Sequence, residues 1–546
     1  MTSTAAHPRT GSGITFLFSS FTGLPDQYLQ GYAFDDADYV FGSGAEDLHQ
    51  STGRRIEPGG DGCYVSVSRT EDGHVVGVDG SGLKKVFYYS DGPTWCVSNS
   101  LTRLAGHLQE HGVRLTVSFA HLMGVKVRHG ITAQQSTYQT FFNEVRLLPT
   151  RNYLHVDWRG LHVCTLPRPE PVDYVTALRG YLSTWTRRCA TLLGVPGIQI
   201  TSDITGGVDS RSIFALLHRT TDLLGEPVSR VRFRSGVGER WAADFEAAGR
   251  IASRHGFRLN PPPGVRTLLG GATEGSRPLT GPERYTEWRD LCLGNYLSIY
   301  FPSRTLDPWS PRFHGGGGGN HRPFYSPGEP EEFLAQFDQV KPTYLRAAWQ
   351  AEMRGCFDTL RADQPTVDPM VMHYREFRNR FHAGRDPQYA AVLAPLSSNP
   401  IKALSHHPDK VATRQIYFDV MESLVPGLLD LPYDDPRKAP SAENHRDLTV
   451  VDVRLERPGR VWIGRSEDEA APPGGDDTSP FDLLARDLER SRRPLVLDFL
   501  GEKVAATAHE VVESARTTQK FAHANDARDT TRMLTVGFAL EVAGVG

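Results

Sequence analysis

The sequence predicts an α/β protein of two unlike halves: a mainly β first half, and a second half of parallel sheet with helices laid on it. Three observations carry this. Residues 14 to about 166 hold short β-branched or aromatic segments (14–18, 63–68, 74–78, 85–89 and 153–156) separated by Gly/Asp turns. From about residue 172, helical and strand-like stretches alternate, the pattern of a parallel sheet covered by helices. Residues 198–217, IQITSDITGGVDSRSIFALL, read as a strand, a sharp break and an apolar-faced helix in immediate succession.

At 546 residues the chain exceeds one ordinary core, so two or three domains are expected. Residues 1–13, MTSTAAHPRTGSG, are expected to be a flexible leader rather than a signal peptide, since no apolar run follows. Residues 14–170 form the first domain, 171–446 the second, and 447–546 a C-terminal extension whose role the sequence does not state. A net charge of -4 gives no sign of a nucleic-acid surface, and no apolar run is long enough to cross a membrane. The six cysteines, Cys63, Cys96, Cys164, Cys189, Cys292 and Cys356, show no C-x-x-C spacing; a reduced, cytoplasmic setting is expected. Homo-oligomerisation is left open.

In the first half, helical pieces are expected near 99–108 and 118–122, between the strands. In the second, 172–193 is an apolar-periodic helix leading into the strand of Ile198, Ile200 and Ile204. After the break, Ile213, Phe214, Leu216 and Leu217 form the inner face of the next helix. Residues 228–234 alternate as a second strand. Residues 241–255 follow as a helix with Phe245, Ala248, Ile251 and Ala252 on one face and Gly256 as its stop. Beyond 446, residues 449–463 alternate as a strand or hairpin, 466–478 form an acidic Pro/Gly linker, and 481–499 and 503–515 are helical.

The break itself, TGGVDS at 205–210, has the parts of an anion cradle. Glycines admit a close approach, successive N–H groups converge, and a helix N-terminus adds favourable partial charge. Asp209 repels bare phosphate, so a divalent cation bridging the two is expected. The plainer alternative is a Gly-Gly left-handed turn with a helix cap. The loop lacks the G-x-x-x-x-G-K-[ST] of a Walker A motif.

T-G-G-V-D-S resembles the S-G-G-x-D-S loop of the N-type ATP pyrophosphatases, which cleave ATP between its α and β phosphates. The resemblance implies ATP and Mg2+ as cofactors, pyrophosphate held by Thr205, Gly206, Gly207 and Ser210, and magnesium held by Asp209. The run GGDGCYVSVSRTEDGHVVGVDGSGLKKVFYY from Gly59, then CVSNSLTRLAGHL, is similar to the glutaminase half of class B asparagine synthetases. Asp79, Gly82, Lys84 or Lys85, and Tyr88 and Tyr89 stand at matching places. The resemblance implies an Ntn-hydrolase-like αββα sandwich followed by a parallel-sheet ATP-pyrophosphatase domain. A working glutaminase of that family carries a cysteine directly after the initiator methionine; here Thr2 stands there, behind a flexible leader, so glutamine hydrolysis is expected to be lost. β-Lactam synthetase is a family member of that kind.

The same resemblance extends through the second half. Asp244, Ala248, Ile251, Ala252 and Gly256 match the family's second helix, which implies Phe233 and Ser235 beside the adenine. In PRFHGGGGGNHRPFY at 311–325, the family's G-D-G-x-D-E is replaced by five glycines, and a shift of one places Asn320 where the family has a metal-binding aspartate. A flexible glycine loop without ligand role is the equal alternative. His321 and Arg322 are candidates for pyrophosphate or a substrate carboxylate, or else surface residues. Tyr374 and Glu376 are candidates for the Tyr–Glu pair that deprotonates the attacking amine, against a reading of Arg375 and Glu376 as solvated helix charges. Pro395 and Leu396, Lys410 and Arg414, Val425 and Pro426, and Arg437 and Lys438 resemble the family's closing motifs. There a lysine, here Lys438, stabilises charge during acyl transfer.

Together these imply an ATP-dependent carbon–nitrogen ligase, expected in natural-product biosynthesis. It would adenylate a small-molecule carboxylate and pass the acyl group to an amine, without glutamine hydrolysis. A catalytically silent nucleotide-binding scaffold and a peptide-cyclising, lasso-type adenylating enzyme are the alternatives; the net negative charge disfavours tRNA as acceptor.

Overall fold

The computed structural model describes residues 14–261, 277–304, 306–326, 328–464, 478–522 and 526–545. The leader, Thr2 and nearly all of the expected 466–478 linker lie outside them.

Strands β1 (Leu17–Ser19), β2 (Gln27–Asp35), β3 (Asp38–Phe41), β4 (Asp61–Arg69), β5 (His74–Val78), β6 (Phe87–Asp91), β7 (Thr94–Ser98), β8 (Val145–Leu147), β9 (Asn152–Asp157) and β10 (Gly160–Thr165) build the first half. They divide into an antiparallel sheet β1-β7-β6-β8 and a larger one that runs β10-β9-β5-β4-β2-β3. The two sheets face each other, and the two-residue period decides which side chains meet. Val65 and Val67 of β4 join Trp95 and Val97 of β7 between the sheets. Tyr64, one step out of phase, turns to the opposite face, where Ala45 and Leu48 of helix α1 (Gly44–Thr52) cover it. Helix α2 (Leu101–Glu110) buries Leu101, Leu104, Ala105 and Leu108 at helical spacing behind the smaller sheet, capped by the Ser100 hydroxyl. The layers therefore run helix, sheet, sheet, helix.

Helix α3 (Tyr174–Leu193) opens the second half. Its sheet has four short parallel strands, β11 (Thr201–Asp203), β12 (Arg232–Arg234), β13 (Arg312–Phe313) and β14 (Val392–Leu393), in the order β12-β11-β13-β14. Helix α4 (Val208–Leu223) follows β11, and α5 (Ala242–His255) follows β12. The chain leaves β11 to one side for β12 and returns on the other for β13. That reversal marks a topological switch point, and the crevice beyond the strands' carboxyl ends there is where such sheets bind ligands. The expected strand at 228–234 is shorter than its alternation suggests, because Val228–Arg230 forms a 3₁₀ turn. On α5, Ala247, Ala248, Ile251 and Ala252 are buried but Phe245 is 39% exposed, one residue outside the inward stripe.

The halves are tied by buried polar contacts. Tyr32 donates to the Val392 carbonyl at 2.6 Å, and Arg188 pairs with Asp61 at 2.7 Å with both side chains under a tenth exposed. Arg188→Met removes the guanidinium that lies over the Trp185 and Phe34 rings and leaves the Asp61 carboxylate without its cation. It is expected to lower stability by ~3–5 kcal/mol in a denaturant titration.

The C-terminal extension has a structural part. Strand β15 (Val461–Ile463) pairs in parallel with β3 and becomes the seventh strand of the larger first-half sheet. Residues 449–460 form neither the strand nor the hairpin their alternation suggested. The expected helix 481–499 is two, Pro480–Arg490 and Pro494–Leu500, because a proline cannot supply the N–H that would continue the first. Helix Glu502–Thr518 and an unanticipated one, Arg528–Val542, complete a helical layer that contacts α2, where Gln109 donates to the Val542 carbonyl at 2.6 Å. Among the described residues no helix is long and apolar enough to cross a membrane.

Candidate functional site

The loop at 205–210 leaves the carboxyl end of β11, beside the switch point. Ile204, fully buried, ends the inward run; Gly207 then caps α4 without a side chain. Neither Gly206 nor Gly207 has a positive φ, so the left-handed turn is not what requires them. Space is. A Cβ on Gly206 would come within 2.6 Å of the Asp434 backbone nitrogen and closer still to its Cβ. A Cβ on Gly207 would meet nothing nearer than 3.6 Å, which leaves that face open to a ligand. Gly206→Ala is accordingly expected to cost ~1–3 kcal/mol of stability and Gly207→Ala little, compared by chemical denaturation.

The loop is internally braced. The Thr205 N–H donates to the Ser210 hydroxyl at 3.0 Å, and the two hydroxyls lie 3.0 Å apart. The Gly206 N–H donates to Asp244 of α5 at 3.0 Å, and that of Gly207 to the Thr205 hydroxyl at 3.3 Å. The first-turn N–H groups of Val208, Asp209 and Ser210 lack a carbonyl four residues back within the helix.

Asp209 stands at the centre. One oxygen accepts from Arg322 at 3.0 Å; the other, Oδ1, is buried without a partner. Burial raises its pKa above the ordinary carboxylate value, opposed by Arg322, Lys438 and Arg414. The five glycines at 315–319 are packed rather than loose, two of them against Asp209. A Cβ on Gly315 would lie 2.8 Å from the Asp209 Cβ, one on Gly318 would overlap its carboxylate, and one on Gly319 would overlap the Tyr374 ring. Tyr417 donates to the Gly318 carbonyl. The flexible-loop alternative is therefore corrected: a side chain at 315 or 318 would displace Asp209, one at 319 Tyr374, and one at 316 or 317 would run into His314 or Ser397.

Lys438 reaches the same loop. It pairs with Asp434, and its ammonium is 4.0 Å from where a Gly207 Cβ would sit. The segment carrying it is fixed by Arg211 of α4, fully buried, which donates to the carbonyls of Leu431 at 2.8 Å and Pro432 at 2.6 Å and lies over the Tyr433 ring. Sequence reasoning passed over Arg211 and Asp434. The only available signal was the position of Asp434, four residues before Lys438.

Other expected positions fall elsewhere. The Phe233 ring is wholly buried against Phe214 and Phe257, a core position. Ser235 lies at the carboxyl end of β12 with its backbone held by Asn260 at 2.9 and 3.0 Å and its hydroxyl unpartnered, a position compatible with a base. His321 is neither surface nor anion contact: its ring nitrogens bond the Ser405 hydroxyl at 2.7 Å and the Leu396 carbonyl at 2.8 Å, and burial holds its pKa well below 6.5.

Tyr374 and Glu376 share a π-helical segment, Tyr374–Ala383, but do not pair. Tyr374 packs on Gly319 and Phe324, facing the Asp209–Arg322 pair. Glu376 is engaged by the Thr150 hydroxyl and by Arg380 at 3.5 Å. The expected dyad is not formed, and the solvated-charge alternative fails too, since Arg375 and Glu376 are both buried.

Asn320 is fully buried with both amide atoms unpartnered. Among the described residues no three His, Cys, Asp or Glu side chains cluster as a metal site. Magnesium typically takes one or two carboxylates and completes its shell with phosphate oxygens and water. The unpartnered Oδ1 of Asp209 fits a cation arriving with a phosphate, not one held by protein alone.

No family model matches the chain, and no curated protein matches it either.

Proposed function

We propose that the chain is an ATP-dependent amide-forming ligase of the asparagine-synthetase kind. A substrate carboxylate attacks the α-phosphorus of ATP, the bond to the β-phosphate breaks and pyrophosphate leaves. An amine then attacks the acyl-adenylate, losing a proton and expelling AMP. The observation that supports this best is the TGGVDS loop at the switch point, open at Gly207 and flanked by Arg322 and Lys438. In this reading Thr205, Gly206, Gly207 and Ser210 hold the pyrophosphate. Asp209 would hold magnesium, which when bound polarises the phosphoryl oxygens. Arg322 moves from Asp209 to the phosphates, and Lys438 meets the charge that develops. Tyr374 orients groups beside Asp209. Without the Tyr–Glu pair, no base for the amine is assigned.

The acid and the amine are small molecules in this reading. Incubation with ATP, magnesium and pooled acids and amines, followed by phosphorus NMR, tests it: AMP and pyrophosphate are expected, whereas ADP and phosphate would contradict it. The second reading is a nucleotide-binding scaffold without turnover, favoured by the Asp209–Arg322 pair and by the internal bonds of the loop N–H groups.

A further inference from the structure

A cavity of about 220 Å³ lies between the two halves of the chain. Its walls include Ser81 and Thr150 from the first half and Asn320, Arg375, Glu376 and Lys402 from the second. At ~30 Å³ per water it has room for about seven, the bulk of an amino acid. It begins at Asn320, the residue after the glycines that pack on Asp209 and Tyr374.

The wall carries unmet polar groups. The Arg375 Nε donates to the Asn320 carbonyl at 2.8 Å, but its Nη2 is buried with no partner, as are both amide atoms of Asn320. Lys402 donates only to neutral acceptors, the Gly80 carbonyl at 2.7 Å and the Asn399 side chain at 3.0 Å. The nearby carboxylates are already engaged. Glu376 is held by Thr150 and Arg380, Asp61 by Arg188 and the Asn399 N–H, and Asp79 by the N–H groups of Leu83 and Lys84. The wall also carries Glu170 and the Arg151–Asp363 ion pair, so what marks it is not a surplus of charge but the donors left without a partner, Arg375 Nη2 and the Asn320 amide. Burial holds the Lys402 ammonium down to about 8 and the Arg375 guanidinium down to about 10, against the opposing pull of Glu376 on both.

We propose that this cavity binds an amino-acid-sized molecule through its carboxylate, gripped by the free arm of Arg375 and by Lys402, with the Asn320 amide bonding a neighbouring polar group. A guanidinium offers the forked donors a carboxylate matches. That the ligand is a substrate of the adenylating site rests on the ligase reading; that it binds here does not.

The test is calorimetry and thermal shift on the full chain with L-glutamate, L-aspartate, glycine and acetate, each alone, and with inorganic phosphate for comparison. At least one carboxylate is expected to bind saturably at millimolar concentration or below, more tightly than phosphate. Arg375→Gln and, independently, Lys402→Met are each expected to weaken it by at least about tenfold, the loss of one charge-assisted contact, in variants whose circular dichroism is unchanged. The exposed Arg454→Gln leaves it alone. Absence of saturable binding by all four carboxylates, equal affinity in both wall variants, or phosphate binding as tightly as the best carboxylate would overturn the proposal. Asp209→Asn separates the two claims, because it is expected to weaken magnesium-dependent nucleotide binding by at least about a hundredfold while carboxylate binding persists.

Discussion

Asp209→Asn is expected to weaken binding of ATP by at least about a hundredfold in the presence of magnesium, equivalent to ~2.7 kcal/mol. The substitution keeps the shape between Gly315 and Gly318 but removes the charge that a phosphate-borne cation requires. The sign should depend on the metal. With magnesium chelated, the wild-type carboxylate only repels the triphosphate, so the asparagine variant is expected to bind at least as well. It also frees Arg322, whose guanidinium otherwise sits 3.0 Å from Asp209. Calorimetric titrations of both proteins, with and without chelator, check this; a penalty that persists unchanged without magnesium would assign Asp209 a purely structural part.

Lys438→Met is expected to reduce turnover by roughly 10²–10³-fold, the range for removing one group that meets developing charge, while ATP affinity changes less than about tenfold. Stability should barely move. The Lys438 side chain is 38% exposed, so its ion pair with Asp434 is screened and worth at most ~1 kcal/mol. The informative quantity is the split between steady-state turnover and nucleotide affinity. A parallel loss in both would make Lys438 a binding residue.

The strand–loop–helix at 198–217 was legible because both periodicities and the glycine pair lie within one short stretch. The halves were legible for the same local reason: Val65 and Val67 alternate, and Leu101, Leu104 and Leu108 recur at helical spacing. What escaped depends on distant partners. Phe233 and Ser235 are only two residues apart, yet one is core and the other stands past the carboxyl end, because β12 ends between them. Glycines at 315–319 look mobile in isolation; only the presence of Asp209, Tyr374 and Ser397 around them shows that they are packed. Tyr374 and Glu376 sit two apart on a helix, so they point to different neighbours, and no local rule says which. Strand β15 was half seen as alternation, but its partner β3 lies over four hundred residues away in sequence. Arg211, in the middle of the loop helix, gave no sign that it anchors the Lys438 segment.

The most direct measurement is a crystal structure of the chain with α,β-methylene ATP and magnesium. The ligase reading predicts the β and γ phosphates against Thr205, Gly207 and Ser210, a cation between them and Asp209, and Arg322 turned from the carboxylate to a phosphate. A nucleotide seated elsewhere, or one bound at this loop with the Asp209–Arg322 pair intact and no cation, would contradict it.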